Sequence, residues 1–234
     1  MRRYRFPFPP FARSAFALGA GAFALATAAA PSLAMESAAA PTSGPAWDAF
    51  VKADQGIKDY TETVTTHEVS GDRTEDRVYH FSYQKPSYGR SEIISGPGAG
   101  GAAVWHGGDK VKGHQGGLLS GIKLVISEND PRATDIRGKT IEAAFFPWMI
   151  AGFQRPGKLS EAPGPTINGV ATDAVTLIPA DTKVRNLTKE TILLSRTTHL
   201  PVEHMGWEGD KLVEQETFTD QKINVGLPHD TFEM

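Results

Sequence analysis

From residue 60 onward, the chain is a succession of short segments in which apolar and polar residues alternate, separated by Gly, Pro, Ser and Asp. Alternation with a period of two places successive side chains on opposite faces of a strand, and the separating residues are typical of turns. Such segments occur at 61–69, 77–85, 91–95, 102–106, 110–114, 170–180, 190–198, 201–209 and 211–224. The pattern predicts a mainly β (α+β) fold, a meander of about 9–11 antiparallel strands.

One helix is predicted before the first strand. Residues 45–58 read PAWDAFVKADQGIK, with Trp47, Phe50 and Ile57 among their apolar positions. Pro45 lies in the first turn, where a missing backbone N–H costs nothing. The segment predicts a short amphipathic helix.

Residues 140–153 (TIEAAFFPWMIAGF) interrupt the β pattern and are the most apolar part of the chain after the N-terminal region. Pro147 argues against one continuous helix, because it removes a backbone donor and disfavours the helical conformation at Phe146. We expect a break at Phe146 and a short helix from Pro147 to Gln154. Such a segment has two apolar faces, so it is either a plug within the core or a lid over a cavity.

The N-terminal region has a different composition. Residues 1–34 combine four Arg, an uncharged Ala/Leu/Gly/Phe run at 14–30 and the small-residue sequence Ser32-Leu33-Ala34, which together predict a cleaved secretory signal peptide; a retained anchor is the alternative. Residues 35–44 are rich in Ala, Pro, Ser and Thr and predict a flexible leader. Residues 45–234 are then a single domain, and the expected location is the periplasm.

Composition excludes several classes of function. The chain has no Cys, so it has neither disulfides nor thiolate-bound metals. Without the four Arg of residues 1–34 it carries 24 − 4 = 20 basic and 27 acidic residues, a net charge of −7 that predicts no attraction to nucleic acid or to anionic lipid. None of the seven His lies in a metal motif, and no G-x-S-x-G is present, so we expect no metal, no cofactor and no enzymatic activity.

The segment 77–85 carries a stripe of aromatic residues. Tyr79, Phe81 and Tyr83 share one face of the predicted strand, and Lys85 has the same parity at its end. A lysine at this place is either a strand-end residue whose ammonium reaches water or, if the face lines a cavity, a polar anchor at the rim.

The order of these features resembles a known family. A helix leads into a strand, an aromatic strand ends at Lys85-Pro86 with Arg90 nearby, an apolar strand carries Trp105, and the last stretch reads KINVGLPHDTFEM. This order resembles the LolA/LolB-like superfamily of periplasmic lipid-handling proteins, in particular LolA-like proteins grouped as DUF1571. The resemblance covers roughly residues 45–233, and its most specific motif is N-x-x-L-P-x-x-x-F at residues 224–232.

The resemblance implies an incomplete antiparallel β-barrel around a hydrophobic cavity, with an apolar lid. It places Tyr79, Phe81, Tyr83 and Trp105 on the inner wall, Lys85 at the rim, and Phe145, Phe146, Trp148, Met149, Ile150 and Phe153 on the lid. LolA carriers have an arginine directly before the proline that follows the aromatic strand. This chain has Lys85 at that position, before Pro86. Lysine lacks the planar five-donor fork with which arginine braces several carbonyl groups.

Two function classes follow. The first is a carrier or sensor of lipid or of lipoprotein acyl chains, which performs no covalent chemistry and contacts membranes only transiently. The second is a structural or regulatory interaction module of the cell envelope, on the same fold, with a protein partner. An enzyme that uses the cavity is the remaining alternative, and it requires titratable groups that converge inside.

Overall fold

The computed structural model describes residues 44–183 and 185–234. The predicted signal peptide (1–34) and the predicted leader, apart from Gly44, lie outside the described residues, so the domain boundaries stay a prediction.

Eleven strands and two α-helices make up the described part of the chain. Its elements are, in order, α1 (Pro45–Gln55), β1 (Asp59–Ser70), β2 (Arg73–Gln84), β3 (Tyr88–Ser95), β4 (Ala102–Trp105), β5 (Lys110–His114), β6 (Leu124–Ser127), α2 (Phe146–Phe153), β7 (Gly157–Pro163), β8 (Thr172–Pro179), β9 (Lys189–Ser195), β10 (Pro201–Glu208) and β11 (Lys211–Ile223). Single 3₁₀ turns occur at Gly117–Leu119, Ile141–Ala144 and His229–Phe232. Among the described residues, no helix has both the length and the apolar character needed to cross a bilayer.

The strands form one curved, open antiparallel sheet in the order β6-β5-β4-β3-β2-β1-β11-β10-β9-β8-β7. The mainly β fold predicted from the sequence is therefore confirmed. The meander is double: β1 to β6 run outward from the centre, and β7 to β11 return to it from the opposite edge. Residues 128–156 connect the two edge strands of the sheet and cross its concave face. The aromatic side chains of this segment belong to the hydrophobic core on that face.

The two strands without a segment in the sequence pattern, β6 and β7, are the edges of the sheet. Only one side of each is paired, and their side chains alternate between half-buried and exposed, with no fully buried position. A polar strand such as GKLSEAP lacks the apolar alternation that identifies a half-buried strand.

Both helices lie close to their predicted positions. α1 ends at Gln55 rather than Lys58, because the N–H of Gly56 closes the last turn on the carbonyl of Ala53 (3.1 Å). α2 begins at Phe146, has its proline in the first turn, and ends at Phe153, within one residue of the prediction.

The helices pack on the concave face through aromatic rings. Trp47 of α1 stacks on Phe153 of α2 with ring centroids 5.3 Å apart, and Phe50 meets Phe146 edge-on at 5.9 Å. Phe146 also stacks on Tyr60 of β1 at 4.3 Å. Rings packed in this way contribute about 0.5–1.5 kcal/mol per pair beyond their burial.

Candidate functional site

A cavity of about 710 Å³ lies between the concave face of β1–β5 and the segment 131–144 that crosses it. Part of its wall on the sheet is apolar: strand register places Val64 opposite Tyr79, and Tyr79 opposite Ile93, so that neighbouring strands present these side chains together. Polar residues of the same strands, Thr66 and Ser91 among them, also line the cavity. Phe81 extends this wall, and Ile141 faces it from the crossing segment.

The mouth of the cavity is formed by two glycine-rich loops. Residues 97–101 join β3 to β4, residues 115–117 follow β5, and both line the cavity. The loops touch: a Cβ on Gly116 would stand 1.8 Å from the carbonyl oxygen of Ala99. Only glycine at position 116 permits this approach. The loop 96–101 (GPGAGG) is therefore packed closely against the loop 115–117 at the mouth of the cavity.

Of the side chains assigned to the inner wall from the sequence, Tyr79 and Phe81 line the cavity. Tyr83 and Trp105 lie deeper, in the core of the same face, where the ring of Phe145 packs 4.6 Å from Tyr83 and 5.4 Å from Trp105.

The segment assigned to a lid packs as a plug. Phe145, Phe146, Met149 and Phe153 are at most 4% exposed and belong to the core cluster. Tyr60 fixes the start of α2, because its hydroxyl donates to the carbonyl of Ala144 at 3.0 Å. None of these residues lines the cavity, whose cover consists instead of residues 131–144.

The other three predicted site residues also lie away from the cavity. Trp148 and Ile150 are half-buried against the core, and the guanidinium of Arg185 lies 5.0 Å from the ring of Trp148. Lys85 Nζ donates to the backbone carbonyl of Asp54 at 2.5 Å and to its carboxylate at 3.1 Å. Lys85 thus binds the last turn of α1, where a cation is favoured by the helix dipole.

One end of the cavity is charged. Glu68, Asp135, Lys139 and Glu216 line it there, and they belong to a larger group of buried or half-buried charges. We call this group the ionic cluster; it comprises Glu68, Asp135, Arg137, Lys139, Arg155, Arg185, Glu190, His204, Glu214 and Glu216.

Lys139 is the cation that the ionic cluster contributes to the cavity lining. Its Nζ lies 2.6 Å from Glu68 and 2.5 Å from Glu216. The carboxylates of Asp135 and Glu214 stand 3.6 and 3.8 Å from the same nitrogen. The side chain is only 5% exposed, so it ties the crossing segment to β1 and β11 in a low-dielectric setting.

The arginines extend the cluster toward β9. Arg137 Nε lies 2.7 Å from Glu214, which is fully buried. Arg185 bridges Glu214 and Glu190, and Arg155, just after α2, pairs with Glu190 as well. Three segments that cross or flank the sheet are thus held to the same buried carboxylates.

Burial and pairing shift the pKa values in opposite directions. Burial would lower the pKa of Lys139, but the carboxylates around it raise that pKa well above its ordinary value. Burial alone would raise the pKa of Glu216, but Lys139 and His204 hold that pKa far below its usual range. For Glu68, burial, reinforced by the neighbouring Asp135, outweighs Lys139 and raises the pKa to about 8.

Glu62 is buried on the same face, and no cation among the described residues pairs with it. Its Oε2 accepts a hydrogen bond from Gln221 Nε2 at 2.9 Å, and its Oε1 has no partner within the same part of the chain. Burial, opposed by Gln221 and reinforced by the charge of Glu216, raises the pKa of Glu62 to about 8.

Sequence reasoning missed both the ionic cluster and Glu62, because the acidic residues involved are scattered over distant strands. A usable pattern was present: Glu62 and Glu68 share the parity of Val64, and Glu214 and Glu216 share that of Phe218. Carboxylates on the apolar face of a strand are buried, and a buried carboxylate needs a partner or a proton.

Comparisons with known proteins give a fold but no close relative. No protein-family model matches the sequence, and no curated protein matches it. Among solved structures, MucB matches with a TM-score of 0.51 and 16% identity over 83% of this chain and 64% of its own. An uncharacterized conserved protein from Thermus thermophilus matches with a TM-score of 0.51 and 9% identity over 81% and 91% of the two chains.

A LolA superfamily protein from Nitrosomonas europaea also matches, with a TM-score of 0.38 and 11% identity over 82% of this chain and 99% of its own. At identities this low, what is shared is the fold. Together with the two matches at a TM-score of 0.51, the topology confirms the curved, open antiparallel sheet with helices that was expected from the sequence.

Proposed function

We propose that this protein binds the acyl chain of a lipid or of an acylated lipoprotein in the cavity under residues 131–144, as a periplasmic carrier or sensor. The observation that carries the proposal is the cavity itself, about 710 Å³ with a wall of Val64, Tyr79, Phe81 and Ile93. This volume lies within the range of about 300–1,000 Å³ typical of ligand pockets. Each methylene that moves from water to such a wall contributes about 0.8 kcal/mol.

The ionic cluster suits a ligand with a polar head. An acyl chain along the apolar wall leaves its head near Lys139, Glu68 and the half-buried Arg77, which line the other end. The proposed function includes no covalent chemistry, because the carboxylates of the cluster are paired with cations or, for Glu68, favour the protonated form at neutral pH. Groups neutralised in this way hold a structure together rather than attack a substrate.

The test is native mass spectrometry of a chain that begins at Met35, with palmitate as the probe. The hydrophobic core lies between Trp47 and Phe218, so this chain keeps all of it. A parallel sample purified from an envelope extract shows whether lipid copurifies. We expect one palmitate per protein.

Two variants and a control separate binding from folding. Ile93→Asp places a carboxylate in the wall, and Ala103→Phe fills the cavity without adding charge; each should weaken palmitate binding by about tenfold or more. Ile178→Asp, on the exposed side of β8, should bind like the unsubstituted chain. A folded protein that takes up no palmitate, or equal binding by all variants, would overturn the proposal.

The interaction module is the second candidate, and one observation favours it. Phe146, Met149 and Phe153, expected on a lid, instead fill part of the concave face as a core. A module that binds a protein needs no free cavity, and it would show no palmitate in the same experiment.

A further inference from the structure

An exposed apolar tip borders the mouth of the cavity. We define the tip as residues 95–101, between β3 and β4, and residues 115–123, between β5 and β6. Leu118 is fully exposed and Ile122 is 55% exposed. Val125, on the adjoining strand β6, is 63% exposed. Large apolar side chains exposed this far, grouped at one end of a sheet, indicate a surface that is covered in use.

The charge around the tip differs from that of the whole chain. Between Glu92 and Glu128 there is one acidic residue, Asp109, and there are three lysines, in a chain whose formal net charge is −3. Asp109 immediately precedes β5, at the end of the β5–β6 hairpin opposite the tip. Lys123 is therefore the only charged residue of the tip, and it is exposed.

The lysines extend from the tip along one face of the hairpin. Strand register pairs Lys112 with Val125, so the two side chains share the outer face. Lys123 has the parity of Val125. Lys112 is half-buried, and its Nζ donates to the backbone oxygen of Met234 at 3.4 Å. The hairpin thus presents Val125 and the exposed Lys123 on the same side, as segments that lie in a bilayer interface do.

We propose that the tip docks on the surface of an anionic lipid bilayer, with Leu118 and Ile122 at the boundary between headgroups and acyl chains and Lys123 beside the phosphates. The loop 115–123 carries a single charge, the cation of Lys123, although the chain as a whole is acidic; the exposed Asp76 lies beside Gly96, in the other loop of the tip. It is the charge within a Debye length of the surface that acts. A protruding, glycine-flanked turn inserts into a fluid interface without the shape complementarity that a protein partner requires.

The position of the tip gives docking a consequence. Gln115, Gly116 and Gly117 belong to the tip and also line the cavity. A docked tip therefore brings the cavity mouth to the membrane surface, where an acyl chain enters or leaves. Docking itself needs no ligand, so it stands or falls independently of the proposed function.

Vesicle flotation tests the proposal. The chain from Met35, which lacks the apolar run at 14–30, is mixed with vesicles of phosphatidylcholine alone or with phosphatidylglycerol added. We expect binding to the anionic vesicles, weakened by salt and weaker still without phosphatidylglycerol. Lys123→Glu should lower the affinity by about fivefold or more.

The decisive comparison is between two apolar-to-acidic changes. Leu118→Asp with Ile122→Asp should abolish flotation, whereas Ile178→Asp, on the other half of the sheet, should leave it unchanged. Ile93→Asp should lose palmitate and keep flotation, and the tip variant should do the reverse, so failure of docking is distinct from failure of ligand binding. Absence of flotation, or equal flotation by the tip variant and Ile178→Asp, would overturn docking on a bilayer and leave the tip to a protein partner.

Discussion

At the scale of single residues, Glu62 is a carboxylic acid in a position that disfavours its ionised form. Its side chain is fully buried on β1, it accepts a hydrogen bond from Gln221, and no cation of the described residues approaches it. Its pKa is raised from 4.5 to about 8, so the folded protein holds a proton there that the unfolded chain releases. Stability from this group is complete at low pH and is lost as the pH rises through that interval.

Glu62→Gln should therefore make the protein more stable at high pH and not at low pH. The difference in unfolding free energy between this variant and the unsubstituted chain should grow by about 1.4 kcal/mol per pH unit between about pH 5 and pH 8. Urea denaturation at several pH values measures it. A difference independent of pH would show that Glu62 is ionised in the folded state.

Sequence reasoning identified Lys85 as a residue at the end of a strand but not its partner. The ammonium reaches back to Asp54, 31 positions earlier in the chain, and this contact forms only when α1 packs on the sheet. A contact between residues far apart in the sequence depends on how the whole chain folds. The face of a strand on which a side chain lies can instead be predicted from the residues next to it in the sequence.

At the scale of elements, the segment 131–145 is held over the sheet by charge in its middle and by aromatic packing at its C-terminal end. Arg137 and Lys139 bind carboxylates of β1 and β11, and Phe145 packs against Tyr83.

Lys139→Met should destabilise the fold by about 3–5 kcal/mol, because it leaves the buried carboxylates of Glu216 and Glu214 without the ammonium that lies 2.5 and 3.8 Å from them. Lys183→Met is the control: that side chain is 88% exposed and its ammonium lies 3.6 Å from Asp181, so its loss should change stability by less than about 1 kcal/mol. Thermal and urea unfolding give both values. Equal effects of the two substitutions would contradict a structural role for the ionic cluster.

The elements that could be predicted are those with a clear signal in the neighbouring sequence. Pro147 set the start of α2, and alternation identified the inner strands. The edge strands β6 and β7 escaped because one side of each is unpaired and their alternation is weak. The choice between plug and lid at 145–153 could not be made from the sequence, since an apolar segment with two apolar faces suits both.

At the scale of the whole molecule, the concave face is divided between two uses. Helices α1 and α2 fill one part with aromatic rings, while β1–β5 keep an open cavity whose cover is residues 131–144. The open antiparallel sheet with its two helices was predictable from the order of elements. The position of the cavity was not, because it depends on where residues 128–156 cross the sheet.

Photolabelling with a diazirine analogue of palmitate, followed by peptide mapping, tests the central claim most directly. Label should be found on residues 77–93 of the sheet wall and on residues 131–144 of the cover, and Ile93→Asp should remove it. Label confined to α2 or to the outer face of the sheet, and unchanged in Ile93→Asp, would contradict acyl-chain binding in this cavity.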